Sequence, residues 1–375
     1  MKPHYTLYGW HLSYFTGKAL CYLRYKQANF TLKPVNMFTL MVTIKKKTGA
    51  AVMPVLKSSS GEWIQDTSVI IDRFEREIPT NLVIPADPVQ RFASYLLEAW
   101  GDEWWVPIAM HTRWNYPENY ALFEHDAGQA LLPFAPRFLQ NKAAAKPARF
   151  LKSMLPGVGI TPAQHNTMNR WTTHMLDALD AHFAKHGFLL GERPSLGDFG
   201  LVGTMYGHLG RDPWPKRELV DPRPHLKAWL ERMSNPAPHH RGELIPPGPM
   251  PTSLNPVWHS VLHEFVPMVQ RTGELLCKAA QQRGLNTRLP RSVGMVETRM
   301  GDMPFQRMGL GYTVWMMQRA LDCYRAMSRA DQNAVEQWLA QHHARDILAM
   351  PLPRVERMAL TVAVTELPST LEQAA

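Results

Sequence analysis

The sequence predicts a small mixed α/β domain followed by an all-α region, on three observations. Strand and helix patterns alternate over residues 4–77, the proline-bearing stretch PTNLVIPADP follows at 79–88, and strand signals are rare after it. A chain of 375 residues suits two or three domains and can bury a substantial core.

The elements follow in order. HYTLYGW alternates aromatic and β-branched residues and reads as a strand ending at Gly9. A helix should start near Ser13, because Phe15, Leu20 and Leu23 recur with helical spacing. ANFTLKPVNMF supplies a second strand. TGAAVMPVLKSSSGEWIQDTSVIIDRFERE reads as a strand over 52–56, a turn over 58–61, a short strand at 63–64 and a helix from Asp66. This βαβ-ββα order implies one parallel pair, across the helical connection, and one antiparallel pair, across the short turn.

Downstream, FASYLLEAWGDEWWVPIAMHTRW places Tyr95, Leu96, Ala99 and Trp104 near one helical face, with Pro107 kinking or ending the helix. Further helices are expected over 162–186, 196–209 and 223–233. The expected organisation is an α/β domain over 1–78, a linker over 79–88, a helical domain over 89–235, a connector over 236–256 that holds seven prolines, and a helical extension over 257–375. In the extension VWHSVLHEFVPMVQRTGELLCKAA and YTVWMMQRALDCYRAM carry the helical spacing, and the last dozen residues read as frayed.

Composition narrows the function classes. Hydrophobic residues at 45% and charged residues at 19% exclude wholesale disorder and fibrous repeats. The formal charge of +9 favours anionic ligands, yet the basic residues are dispersed apart from Lys45-Lys46-Lys47, so nucleic-acid binding is not expected. Cys21, Cys277 and Cys323 form neither a disulfide framework nor a CxxC zinc motif. The pairs His239-His240 and His342-His343 are adjacent, and successive residues do not share a helical face, so no metal site is expected. The start of the chain lacks a signal-peptide core and no 18-residue apolar run occurs, which points to a soluble cytoplasmic protein.

The chemistry concentrates where the first strand gives way to its helix. Backbone N–H groups there meet the positive end of the helix dipole, and a hydroxyl donating to a thiolate favours its charged form. Ser13 stands at that point, and for this motif alone an ordinary helix cap is the plainer reading. No cysteine occupies the position, so the thiol would come from a ligand, and glutathione is the small thiol peptide that fits. Pro54 removes a ladder donor and suits an edge or a cis peptide bond, which would expose the backbone of Met53 to a ligand. Asp66-Thr67-Ser68 opens another helix, where a hydroxyl and the dipole favour a carboxylate and Asp66 would hold an ammonium or cap the helix.

LSYFTGK, TGAAVMPVL and IQDTSVIIDRFE, in that order, resemble the thioredoxin-like N-terminal domain of the glutathione transferases. FLLGERPSLGDFGLVG, with a capping box expected from Ser195 and Asp198, and DPRPHLKAWLERM resemble that family's helical C-terminal domain. The resemblance covers residues 4–233. It implies a thioredoxin-like domain joined to a helical bundle with extra helices, and a transferase that uses glutathione as cosubstrate, takes a small electrophile and works as a homodimer without metal. By motif, Ser13 would activate the glutathione sulfur, with Tyr8 the alternative. Tyr14 and Phe15 lie at the helix opening, Met53 and Pro54 would meet the cysteinyl part, and Asp66 and Thr67 the γ-glutamyl end. Val52 stands where the family often has Lys or Gln, and Asp-Thr where it has Glu-Ser, which leaves the glycyl carboxylate contact open; the Lys45–Lys47 run fits that contact or a solvated face. Trp100, Trp104, His111 and Trp114 offer aromatic surface to an electrophile, and the tryptophans also suit the core. A non-catalytic binding module on the same fold is the competing reading, whereas thiol–disulfide exchange would call for a cysteine at position 13.

Overall fold

The computed structural model describes residues 3–236, 242–248 and 250–369, so His239-His240, part of the proline-rich connector and the end of the C-terminal segment lie outside it. The first sheet has the order β2-β1-β3-β4. Strand β1 (His4–Tyr8) lies parallel to β2 (Asn29–Lys33) and antiparallel to β3 (Val55–Lys57), which pairs antiparallel with β4 (Trp63–Gln65). Period-2 alternation buries Tyr5 and Leu7 on the face covered by helices α1 (Tyr14–Tyr25) and α2 (Thr67–Glu77). Tyr8 points to the other face, where Val35, Ile44 and Val55 form a separate apolar cluster beneath the irregular helical segment of residues 39–48.

Helices account for the next region. Pro107 does end the first long helix as expected: α3 spans Pro88–Glu103, and α4 (Val106–Trp114) carries the proline in its first turn, where no N–H partner is needed. Helices α5 (Tyr120–Leu131), α6 (Arg137–Ser153), α7 (His165–Phe183), α8 (Leu196–Thr204) and α9 (Pro224–Ser234) follow. The expected capping box opens α8, where Asp198 accepts from the Ser195 N–H at 2.8 Å and also from the Trp229 indole at 3.0 Å.

The expectation of a purely helical extension is corrected. After α10 (Val266–Arg283) the chain forms a hairpin, β5 (Ser292–Met300) with β6 (Met303–Leu310). Helices α11 (Gly311–Arg325) and α12 (Arg329–Gln341) follow, and a second hairpin closes the region, β7 (Arg354–Met358) with β8 (Thr361–Glu366). Nor does the extension stand apart: Leu7 of the sheet, Trp100 of α3, Phe265 and Val314 belong to one continuous buried cluster.

Buried charge fixes the three regions together. Lys18 Nζ on α1 is fully buried and donates to Glu98 at 2.7 Å and Asp102 at 2.5 Å on α3, and to Ser68 Oγ on α2 at 3.3 Å. Arg319 on α11 reaches the other oxygen of Glu98 and Asp72 of α2 at 2.7 Å. Burial opposes ionisation of Glu98, but the Arg319 and Lys18 charges outweigh it and hold that carboxyl down at about 2. Burial pushes Asp102 up to about 8 against the pull of Lys18. Lys18 and Arg319 face Glu98, Asp102 and Asp72, so one carboxylate is in surplus, and a proton on Asp102 removes the excess.

Candidate functional site

Ser13 ends the loop between β1 and α1 in extended backbone, and its Oγ accepts the Thr16 N–H at 3.3 Å. A hydroxyl that accepts one bond still has its proton to give. Among the described residues no acceptor for that proton appears in the hydrogen-bond network, and Ser13 lines a cavity of about 410 Å³.

The neighbours of this loop hold it from both sides. The bidentate pair of Arg113 with Asp212, through Nε at 2.8 Å and Nη2 at 3.0 Å, aims the remaining guanidinium N–H groups at the carbonyls of Leu12, from Nη1 at 2.9 Å, and Gly207, from Nη2. The His208 Nδ1–H donates to the Ala109 carbonyl at 3.0 Å, which leaves Nε2 to accept from Arg113 at 3.4 Å. Burial and the adjacent guanidinium push the His208 pKa well below its ordinary value, so the ring is neutral. Two glycines permit the close approach of the helical region: a Cβ on Gly203 would lie 2.7 Å from the Tyr14 ring, and one on Gly207 3.1 Å from the Ser13 carbonyl.

The cavity is an interdomain chamber with apolar walls. Phe15 and Met53 contribute from the first domain, Met110, Trp114 and Phe123 from the helices, and Met308 and Leu310 from the β5–β6 hairpin. Arg291 and Ser292 stand at the base of that hairpin, where Ser292 pairs in register with Leu310.

A second hollow of about 90 Å³ adjoins the chamber and shares Phe15, Met53, Arg291 and Leu310 with it. Its floor is formed by Met53, Pro54, which follows a cis peptide bond, Asp66 and Thr67. Asp66 caps α2 at a φ of 93°, a backbone region that costs a non-glycine residue about 1–3 kcal/mol. Its Oδ1 accepts from Ser68 N at 2.9 Å and Val69 N at 3.3 Å. The roof comes from the extension: Tyr312 donates to Asp66 Oδ2 at 2.6 Å, and Arg357 stands 4.0 Å from the same oxygen while bonding Gln65 at 2.5 Å. Burial and the Asp66 charge hold the Tyr312 phenol well above its ordinary pKa, so it is the donor. Glu103, raised by burial although Thr313 donates to it at 2.6 Å, adds a second carboxyl to the same wall.

The sequence-predicted residues divide on this geometry. Ser13, Tyr14, Phe15, Met53 and Trp114 line the chamber, and Phe15, Met53, Pro54, Asp66 and Thr67 line the hollow. Tyr14 turns its ring to the chamber, but its hydroxyl is committed to the Gly101 carbonyl and to Thr204, which makes it a bolt between domains. Three expectations are corrected. Tyr8 lines neither cavity and instead stacks on Trp63, with ring centroids 5.1 Å apart, because the strand register turns it to the far face. Trp104 is wholly buried beside Phe265 and Phe305, on the side of α3 turned to the extension. His111 is tied to Asn169 at 2.8 Å and to Asn115 at 2.6 Å, away from the chamber. Arg113, between Thr112 and Trp114, carries no sequence signal of its buried pair, and Arg291 and Tyr312 lie in a region without a recognisable motif.

Comparison with known proteins gives two family matches. The family described as "Glutathione S-transferase, N-terminal domain" matches residues 7–81, and "Glutathione S-transferase, C-terminal domain" matches residues 173–232. No curated protein matches the sequence. Among solved structures, a glutathione S-transferase from Rhodospirillum rubrum F11 is 17% identical with a TM-score of 0.39, over 66% of this chain and 96% of that one. The Beta-etherase LigF from Sphingobium sp. strain SYK-6 is 20% identical with a TM-score of 0.41, over 62% and 96% of the two chains. A glutathione S-transferase from Methylobacillus flagellatus KT with GSH bound is 19% identical with a TM-score of 0.38, over 62% and 96%.

Proposed function

Because the chain belongs to the glutathione transferase family, we propose that it seats glutathione across the two adjoining cavities and transfers its sulfur to an apolar electrophile. The observation that carries this reading is the uncommitted Ser13 O–H in an apolar chamber that adjoins an acidic hollow. The γ-glutamyl end, with an ammonium and a carboxylate, suits Asp66 and Glu103 on one side and the α2 N-terminus on the other. Asp66 has about four lone-pair sites and three accepted bonds, which leaves one for the ammonium. Ser13 would donate to the sulfur once its proton has left for solvent. The thiolate then forms the C–S bond while the leaving group departs with its electron pair, and the apolar walls of the chamber hold the electrophile and exclude water.

One observation favours a second reading, a binding module without transfer. Tyr312 occupies Asp66, and a 90 Å³ hollow is below the ~300–1,000 Å³ of typical small-molecule sites, so only one end of a tripeptide can lodge there. Calorimetric titration with glutathione, read with the ultraviolet absorbance of the bound thiolate, separates the two. Wild type is expected to bind glutathione and to lower its thiol pKa. Binding by Tyr312→Phe alone assigns wild type to the second reading, and binding by neither protein removes both.

We also propose a homodimer. Phe38 is 69% exposed, Phe134 100%, Phe138 70% and Phe150 62%, large apolar surface that association would cover. Sedimentation equilibrium should return twice the chain mass, and Phe138→Asp should lower it. A cytoplasmic location goes with the reading, since all three cysteines are free thiols. Among the described residues no helix is long and apolar enough to cross a membrane.

A further inference from the structure

The polar groups of the chamber can be accounted for one by one. Arg113 is consumed by Asp212 and two carbonyls, His208 by Ala109 and Arg113, and Tyr14 by Gly101 and Thr204. Ser13 faces the sulfur seat. What remains is the buried Trp114 indole N–H, which carries no charge, and Arg291, with Ser292 beside it, whose Oγ takes only a long contact from Gly294 N at 3.5 Å.

Arg291 stands at the mouth, exposed to solvent and lining both cavities. Among the described residues it has no ion-pair or hydrogen-bond partner, although its charge reaches Glu103 and pulls against the burial that raises that carboxyl. A guanidinium is never neutral at working pH, and it offers a planar donor fork matched to a carboxylate. The same chamber is walled by Trp10, Met110, Trp114 and Phe123, with no charge of their own.

We propose that the chamber takes an apolar acid, with the carboxylate on the Arg291 fork and the carbon body along the aromatic and methionine wall. This rests on the reading of the chamber as the acceptor's seat and names the class of molecule it admits. Arg291 is then a specificity-determining residue contributed by the extension. The carboxylate chemistry has a second source, glutathione itself, and the experiment tells the two apart.

The test uses the full chain without glutathione and two probes of matched shape, 4-phenylbutyrate and its neutral amide, titrated by quenching of tryptophan fluorescence. Wild type is expected to bind the acid at least about tenfold more tightly than the amide. Arg291→Ala should erase that preference with little change for the amide, and Arg291→Lys should keep part of it. Equal binding of the two probes by wild type, binding of neither, or a preference that survives Arg291→Ala overturns the proposal and leaves Arg291 a solvated side chain. Loss of glutathione affinity in Arg291→Ala, with the probe preference intact, moves the carboxylate to the tripeptide and equally overturns the assignment. A wild type that fails to bind glutathione but prefers the acid leaves this inference standing and removes the transfer reading alone.

Discussion

Ser13→Ala should lower the transfer rate near neutral pH by about 10²–10³-fold, the usual effect of removing one preorganised donor from a developing or stored anion. The sign follows from what the hydroxyl stabilises. It donates to the ionised sulfur, so its loss raises the bound thiol's pKa, and the fraction present as thiolate at pH 7 falls. Above the raised pKa the thiolate forms again and most of the rate should return, so the pH–rate profile shifts to higher pH instead of collapsing at every pH. Folding should suffer by only about 1 kcal/mol, the worth of the cap bond to Thr16. Tyr8→Phe serves as the control and should change neither rate nor thiol titration, because Tyr8 is stacked on Trp63 away from the chamber. An unshifted thiol titration in Ser13→Ala would take the residue out of the mechanism.

Lys18→Met should cost about 3–5 kcal/mol of stability, measured by urea unfolding, since it takes one of two cations from a buried carboxyl cluster and leaves Asp102 without its partner. Arg319 still serves Glu98, so the damage falls on Asp102, whose Oδ1 already lacks a partner. A carboxyl whose folded pKa is raised favours the folded state below its ordinary value, and that contribution is lost as pH rises through about 8. Removing the lysine raises Asp102 further. The gap between variant and wild type should therefore widen from pH 5 to pH 9, and a gap independent of pH would mean that Asp102 is not the group left stranded. Lys18→Met with Asp102→Leu should regain much of the loss, because an apolar pair of similar volume replaces the broken ion pair.

Much of the first domain was legible because local signals agree there. Alternation gave β1 and β2, Ser13 and Asp66 capped the helices that follow them, and the short turn gave the antiparallel pair. Tyr8 was harder, since only strand register decides which face a side chain takes. The first hairpin of the extension does carry a local signal: Gly301-Asp302 sits between the two paired runs, with Gly301 at a φ of 60°. The second could hardly be read. Its turn places Ala359 at a φ of 58° and Leu360 beside it, residues with no turn preference, so tertiary packing imposes the geometry. The roof of the site was invisible for a different reason. Tyr312 and Asp66 are 246 positions apart, and no periodicity within a segment reports such a contact.

That separation also sets an order of assembly. A chain leaving the ribosome presents the Ser13 loop and Asp66 early, while Tyr312 emerges 246 residues after Asp66 and Arg357 292 residues after Gln65. Until the β5–β6 hairpin has been translated, the chamber lacks its Met308 and Leu310 wall, and until Arg357 and Leu360 follow, the hollow lacks part of its roof. Early nascent fragments thus carry the Ser13 loop without a closed site, and a chain interrupted between α11 and β7 should keep the chamber lining but lose the Arg357 and Leu360 side of the hollow.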